Sequence, residues 1–326
     1  MFGNCLKALS LGLSVACIAA CSPAPEDTTL SNAQPNSAPI TFAWDAPARL
    51  NVRETTQLKG KAIKLKYDLM VEPYDELKDH LFVSFTNVTP IEFEGEQVLV
   101  STYPAGVRAN MKLIMADYYT RPDFIVSPDG QVVGFPNVDD SLRTFEAISQ
   151  AVSEEMRSRL YGQSLSTEAL RDQMKSSSDA VWTCLVGAWL DFKAQSNESV
   201  EQTVSLFVVE GADPVPGTYL QTHRGLAENS SLFVELERTT FSTGNKLVRL
   251  MQELVQARMG NSGELPDIEG VATAVDRRTD KVRLNPANMK PQWARCEAEF
   301  TIDSKDESVL PSTSTINIRE FDIQWL

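Results

Sequence analysis

The chain has 326 residues, 42% of them hydrophobic and 23% charged, which excludes a disordered, collagen-like or multi-span membrane chain. A net charge of −14 excludes sequence-independent binding of nucleic acid. The length allows one large domain or two smaller ones, and only two histidines, His80 and His223, are available for metal or acid–base chemistry.

At the N-terminus a single basic residue, Lys7, precedes an apolar stretch from Ala8 to Ala20. A charged start followed by a short apolar run is a secretory signal, too short to span a bilayer as a helix. The stretch ends in Ile18-Ala19-Ala20-Cys21. This run resembles the lipobox of bacterial lipoproteins, and the resemblance covers only the first 22 residues. It implies a signal peptide over 1–20 and diacylglycerol on the thiol of Cys21. An acyl chain such as palmitate would then cap the new amine. Ser22 stands where an Asp resembles the inner-membrane retention signal of diderm bacteria. The implied address is therefore the outer membrane, facing the periplasm, with the membrane as the first partner. Three acyl chains are more than stable anchoring requires. Residues 21–40, rich in Pro, Ala, Ser and Asn, hold too few large apolar side chains for a core and read as a tether.

Residues 41–138 read as a first β-rich half. Ile63, Leu65, Tyr67, Leu69 and Val71 alternate with polar residues, as on a half-buried antiparallel strand. Leu81, Val83 and Phe85 repeat the pattern, and 96–102 is a third apolar run. Val107, Met111, Ile114, Met115 and Tyr118 recur at helical spacing. Ser127-Pro128-Asp129-Gly130 is a β-turn sequence, so the flanking apolar runs form a hairpin.

Residues 139–195 read as a helical segment. A long amphipathic helix starts at Asp139 or Asp140 and stops at Gly162. A short helix near 166–175 and an apolar one at 178–192 follow. The latter carries Trp182 and Trp189 on one side.

Residues 196–326 read as a second β-rich half. Strands are expected at 204–208, 217–224 and 231–241, then a helix from Leu247 that ends at Gly260. VATAV, DRRTD and KVRL suggest a hairpin, and strands at 293–302 and 315–325 close the chain. In the last strand Ile316 and Ile318 are one residue out of phase with Phe321, Ile323 and Trp325, which suggests a β-bulge near Arg319-Glu320. Each half then shows strands, a helix and a hairpin. The expected fold class is α+β, an antiparallel sheet with helices packed on one side and a weak internal duplication.

After processing, Cys184 and Cys296 remain. Each lies on an apolar face, and an oxidising compartment favours a disulfide between them. No catalytic, cofactor or metal site emerges. Nucleotide-binding loops, serine-hydrolase elbows and zinc-protease helices are absent from the sequence. Ser242-Thr243-Gly244-Asn245-Lys246 reads as a helix cap rather than an anion loop. Glu92, Glu94 and Glu96 read as a solvated strand face, and Asp303, Asp306 and Glu307 lack calcium-loop spacing. Trp182, Trp189 and Trp293 flank the two cysteines and suit either a plain core or the lining of an apolar site. The functional expectation is an anchored, non-catalytic envelope module that binds an apolar ligand or a protein partner. An anchored hydrolase of cell-wall or lipid substrates, its site assembled from dispersed residues, is the alternative.

Overall fold

The computed structural model describes residues 40–58, 61–93, 96–97, 115–150, 166–206, 213–228, 230–251, 271–304 and 312–326. The expected signal, Cys21 and all but the last residue of the expected tether lie outside these residues. Among the described residues twelve strands form one antiparallel sheet. β1 (Ala48–Leu58), β2 (Lys61–Pro73), β3 (Leu81–Phe93), β4 (Glu96–Gln97), β5 (Phe124–Val126) and β6 (Val132–Gly134) precede the main helical region. β7 (Ser199–Leu206), β8 (Val215–Leu226), β9 (Val234–Thr243), β10 (Val271–Asn285), β11 (Lys290–Ser304) and β12 (Thr313–Trp325) follow it. The strand order is β6-β5-β3-β2-β1-β12-β11-β10-β9-β8-β7, with β4 on β3. The first and last long strands pair in the middle, from Leu50 opposite Trp325 to Leu58 opposite Asn317. Strands from both ends of the chain therefore belong to one sheet.

Among the described residues the helices are few. α1 (Ala116–Tyr119) is a single turn, α2 covers Val138–Gln150 and α3 covers Thr167–Leu185. A 3₁₀ turn follows at Gly187–Trp189, and a fourth helix, α4, covers 245–251. The Ser166 side chain caps α3 by accepting from Ala169 N. Met174, Ser178, Val181, Trp182 and Leu185 are its buried face, at the three- and four-residue spacing that keeps one side inward.

The expected α+β class is overturned. The described residues form a single open antiparallel sheet carrying a few helical segments, and among them no helical layer matches the sheet in extent. Four smaller expectations fail with it. The helices expected at 166–175 and 178–192 are one helix that ends at Leu185, before Gly187. The expected hairpin over 271–284 is one strand of fifteen residues. Its charged centre stays extended because partners lie sideways in the sheet: Asp280 meets Arg238 of β9, and Arg277 meets Glu299 of β11. Without that hairpin the repeated order of elements disappears, and the internal duplication with it. The bulge near Arg319-Glu320 is also absent, since β12 runs in unbroken register with both neighbours. The phase slip has another cause: Arg319 takes an inward position on the same face as Phe321 and Ile323, while Ile316 and Ile318 face the other way. The hairpin at Ser127–Gly130 forms as expected.

Apolar packing lies on one face of the sheet. Trp182, Leu185 and Trp189 from the helical region meet Leu50, Leu65, Tyr67, Phe124, Leu236, Val282 and Phe321. A smaller cluster joins Leu247 and Met251 of α4 to Leu206, Val215 and Ala274. Gly130 shows how close the fit is: it holds φ 89°, and a Cβ there would lie 2.7 Å from Leu190 Cδ2. Its carbonyl accepts the Trp182 indole N–H at 2.8 Å.

Candidate functional site

Between these apolar regions the covered face carries a polar row. Strand register places Thr56 beside Arg319, Arg319 beside Cys296, Cys296 beside Asp280, Asp280 beside Arg238 and Arg238 beside Gln221. Paired residues in an antiparallel sheet project to the same face, so the row crosses six strands beneath the cover. A disulfide joins its centre to α3, through Cys184 and Cys296, with 6.0 Å between the Cα atoms.

At one end stands Glu54 of β1. Arg121, in the segment after α1, grips its carboxylate with Nη1 at 2.7 Å and Nη2 at 2.9 Å, and Thr56 Oγ1 donates at 3.1 Å. Both charged side chains are 1% exposed or less. The guanidinium also lies 4.7 Å from the ring centre of Tyr118 and 5.7 Å from that of Tyr67. Burial opposes ionisation of Glu54, but the charge and hydrogen bonds of Arg121, with Arg319 behind it, hold the carboxyl below its usual value. Burial pushes Asp117 upward against the same two arginines. Burial and the Glu54 carboxylate raise the Tyr67 phenol well above its usual value. Four buried polar atoms here have no hydrogen-bond partner: Tyr67 Oη, Arg121 Nε, Arg319 Nη1 and, further along β12, Asn317 Oδ1.

At the other end stands Asp280 of β10. Arg238 binds it through Nε at 3.0 Å and Nη2 at 2.5 Å, and Arg278 Nε lies 3.0 Å from Oδ1. Burial works against this carboxylate, yet the two arginines hold it below the usual range. Gln221 accepts from Lys193 N at 2.8 Å and donates to Tyr219 Oη at 2.7 Å, tying β8 to the chain after the 3₁₀ turn. Nearby Asp276 is pushed up to about 6 by burial, against the pull of Arg278. Asp179 of α3 is raised in the same way.

The opposite face carries ion pairs: Lys64 with Glu92 at 2.8 Å, Arg49 with Asp68 at 2.7 Å, Lys281 with Glu237 at 3.6 Å. A hollow of about 490 Å³ opens there among Asn51, Arg53, Arg283, Gln292, Trp293 and Asp322.

The residues singled out by sequence disperse. His80 is bonded through Nδ1 to Lys78 O. His223 lies on the covered face, where Nδ1 accepts from Gly225 N and burial lowers its basicity. Ser242 donates to Pro216 O rather than opening an anion loop. Asp303 accepts from Thr273; Glu94, Asp306 and Glu307 lie outside the described residues. Trp182 and Trp189 are core residues of the covered face, whereas Trp293 belongs to the opposite one, so the three do not line one cavity. Among the described residues no three His, Cys, Asp or Glu side chains gather as metal ligands, and no helix is long and apolar enough to cross a membrane. Sequence reading passed over Glu54, Arg121, Asp280, Arg238 and Arg319. The available signal was a charge in apolar phase, as in Leu50, Val52, Glu54 and in Arg319, Phe321, Ile323.

No family model and no curated protein matches the chain. A solved structure concerned with lipid–protein interactions in lipovitellin is similar over 86% of this chain and 25% of that one, at 6% identity and a TM-score of 0.37. The chain thus spans about a quarter of that protein, and a likeness this loose carries no argument about ligand or activity.

Proposed function

We propose that this chain is a non-catalytic binding module of the cell envelope. It is anchored at the outer membrane by lipid on Cys21 and held off the bilayer by the tether over 21–40. Its ligand is amphipathic, with an apolar body and a polar head. The observation that supports this reading is the company kept by the unpartnered atoms around Glu54. A buried polar atom without a partner costs about 1–3 kcal/mol, and several in one neighbourhood call for a compensating group. Here they border an apolar core that includes Tyr67, Phe124 and Trp182. Apolar surroundings with a few convergent polar groups are the usual make-up of a small-ligand site. The donors Tyr67 Oη, Arg121 Nε–H and Arg319 Nη1–H suit an acidic or carbonyl head group.

The test is native mass spectrometry of Cys21→Ser protein, exported behind an ordinary signal peptide so that no detergent is needed. The expected result is a stoichiometric amphiphile that survives purification and is lost or weakened in Tyr67→Phe and Arg319→Met. A bare protein that also ignores a fluorescent fatty acid would sink the proposal and leave ordered water as the partner of those atoms. The anchor is checked separately: intact mass of the wild-type chain should carry diacylglycerol plus an acyl group on Cys21.

A further inference from the structure

The geometry points to a second site, on the open face of the sheet, for a short oligosaccharide that carries a carboxylate. The hollow of about 490 Å³ lies over β1, β12, β11 and β10, and its size falls within the roughly 300–1,000 Å³ of small-molecule sites. The surrounding face is clothed in cross-strand ion pairs, but the pairing lapses here. Arg53 and Asp322 are opposite in register, yet no ion pair joins them, and Arg53 is exposed without a partner among the described residues. Arg283 reaches only to 3.9 Å from Glu235, and its Nε is buried and unpartnered. Two guanidiniums thus flank the hollow with one carboxylate between them, although the chain as a whole is strongly acidic.

The remaining wall is amide and indole. Asn51 spends Nδ2 on Asp68, which leaves its carbonyl oxygen free to accept, and Gln292 and Gln324 are exposed. Trp293 is fixed by its indole N–H, which donates to Glu320 Oε1 at 2.9 Å. Sugar hydroxyls both donate and accept, so they match side-chain amides and a carboxylate together. A C–H face of the ring packs against an indole, and a sugar carboxylate takes a guanidinium in two-point contact. A peptide would find a single apolar anchor here, Trp293, since the Ile323 side chain is buried on the other face. The site shares no residue with the polar row, so either proposal can fail alone.

Calorimetric titration of the exported Cys21→Ser chain with tetragalacturonate tests the inference, with maltotetraose and tetraglutamate as comparisons. Tetragalacturonate should bind and the other two should bind at least about tenfold more weakly. Arg53→Gln, a change at an exposed position, should weaken tetragalacturonate about tenfold, as should Trp293→Leu. No binding, or binding untouched by Arg53→Gln, removes the site. Equal binding of maltotetraose removes the role of the arginines, and equal binding of tetraglutamate makes the ligand an acidic peptide instead.

Discussion

The covered face holds two buried arginine–carboxylate centres that use the same chemistry for different ends. At Glu54 the arginine comes from outside the sheet, so the pair staples the segment around Arg121 onto β1. At Asp280 both arginines are sheet residues, Arg238 on the neighbouring strand and Arg278 two positions along the same one, so the cluster braces the sheet itself. The first centre has one dedicated partner and unpartnered atoms beside it; the second shares its carboxylate between two partners. A buried ion pair gains little net stability, because desolvation offsets the Coulomb attraction, but breaking one strands a charge. Stranding should therefore be severe at Glu54 and mild at Asp280. The disulfide lies between the two centres and is a covalent tie between row and cover.

The largest effect should follow Arg121→Leu, which leaves Glu54 buried with only the Thr56 hydroxyl as a hydrogen-bond partner and Arg319 as the remaining nearby charge; urea unfolding should record a loss of about 3–5 kcal/mol. Arg238→Leu should cost clearly less because Arg278 remains, and equal losses would break the distinction between the centres. The double change Glu54→Leu with Arg121→Leu should recover most of the first loss. Replacing Cys184 and Cys296 with Ala opens a cross-link across 112 positions. The chain-entropy model assigns such a link up to about 4–5 kcal/mol before strain, so a fall of about 2–4 kcal/mol is expected.

Acid should separate the carboxylates by sign. Glu54 titrates below its unfolded value, so its contribution is present above that value and is lost as pH falls through the folded one. Asp276 titrates near 6 when folded against 3.8 when unfolded, so it binds its proton more tightly in the native state. Its effect is a loss of stability as pH rises from about 4 to 6, at most about 3 kcal/mol. Asp276→Asn should flatten that limb of a urea-midpoint profile; an unchanged profile would show that Arg278 already compensates the buried charge. The smallest effect belongs to the open face, where Lys64→Ala should cost under about 1 kcal/mol because the lysine is half exposed.

Much of the first half was legible. Alternation over Ile63–Val71 and the turn at Ser127–Gly130 depend on neighbours in sequence, and both elements stand where periodicity puts them. The strand over Val271–Asn285 was not legible, because Asp-Arg-Arg-Thr-Asp reads as a turn until Arg238 and Glu299 are seen alongside it. The same holds for β12: an arginine in apolar phase looks like a slipped register when its buried surroundings are unknown. At the candidate site, Glu54 and Arg121 are 67 positions apart, and neither has an ion-pair partner nearby in sequence to mark it.

Local chemistry, by itself, determined the signal-like N-terminus, the tether composition, most strand positions and the inward faces of the two cysteines. Each of these depends on side-chain size, polarity and period within a few residues. Tertiary structure alone decided that β1 and β12 meet and merge twelve strands into one sheet. It also decided that six in-phase positions on six strands align into a polar row, and that Trp293 faces away from Trp182. Those outcomes depend on strand order and register, which are set by pairing between residues far apart in sequence, from Arg238 with Asp280 to Leu50 with Trp325.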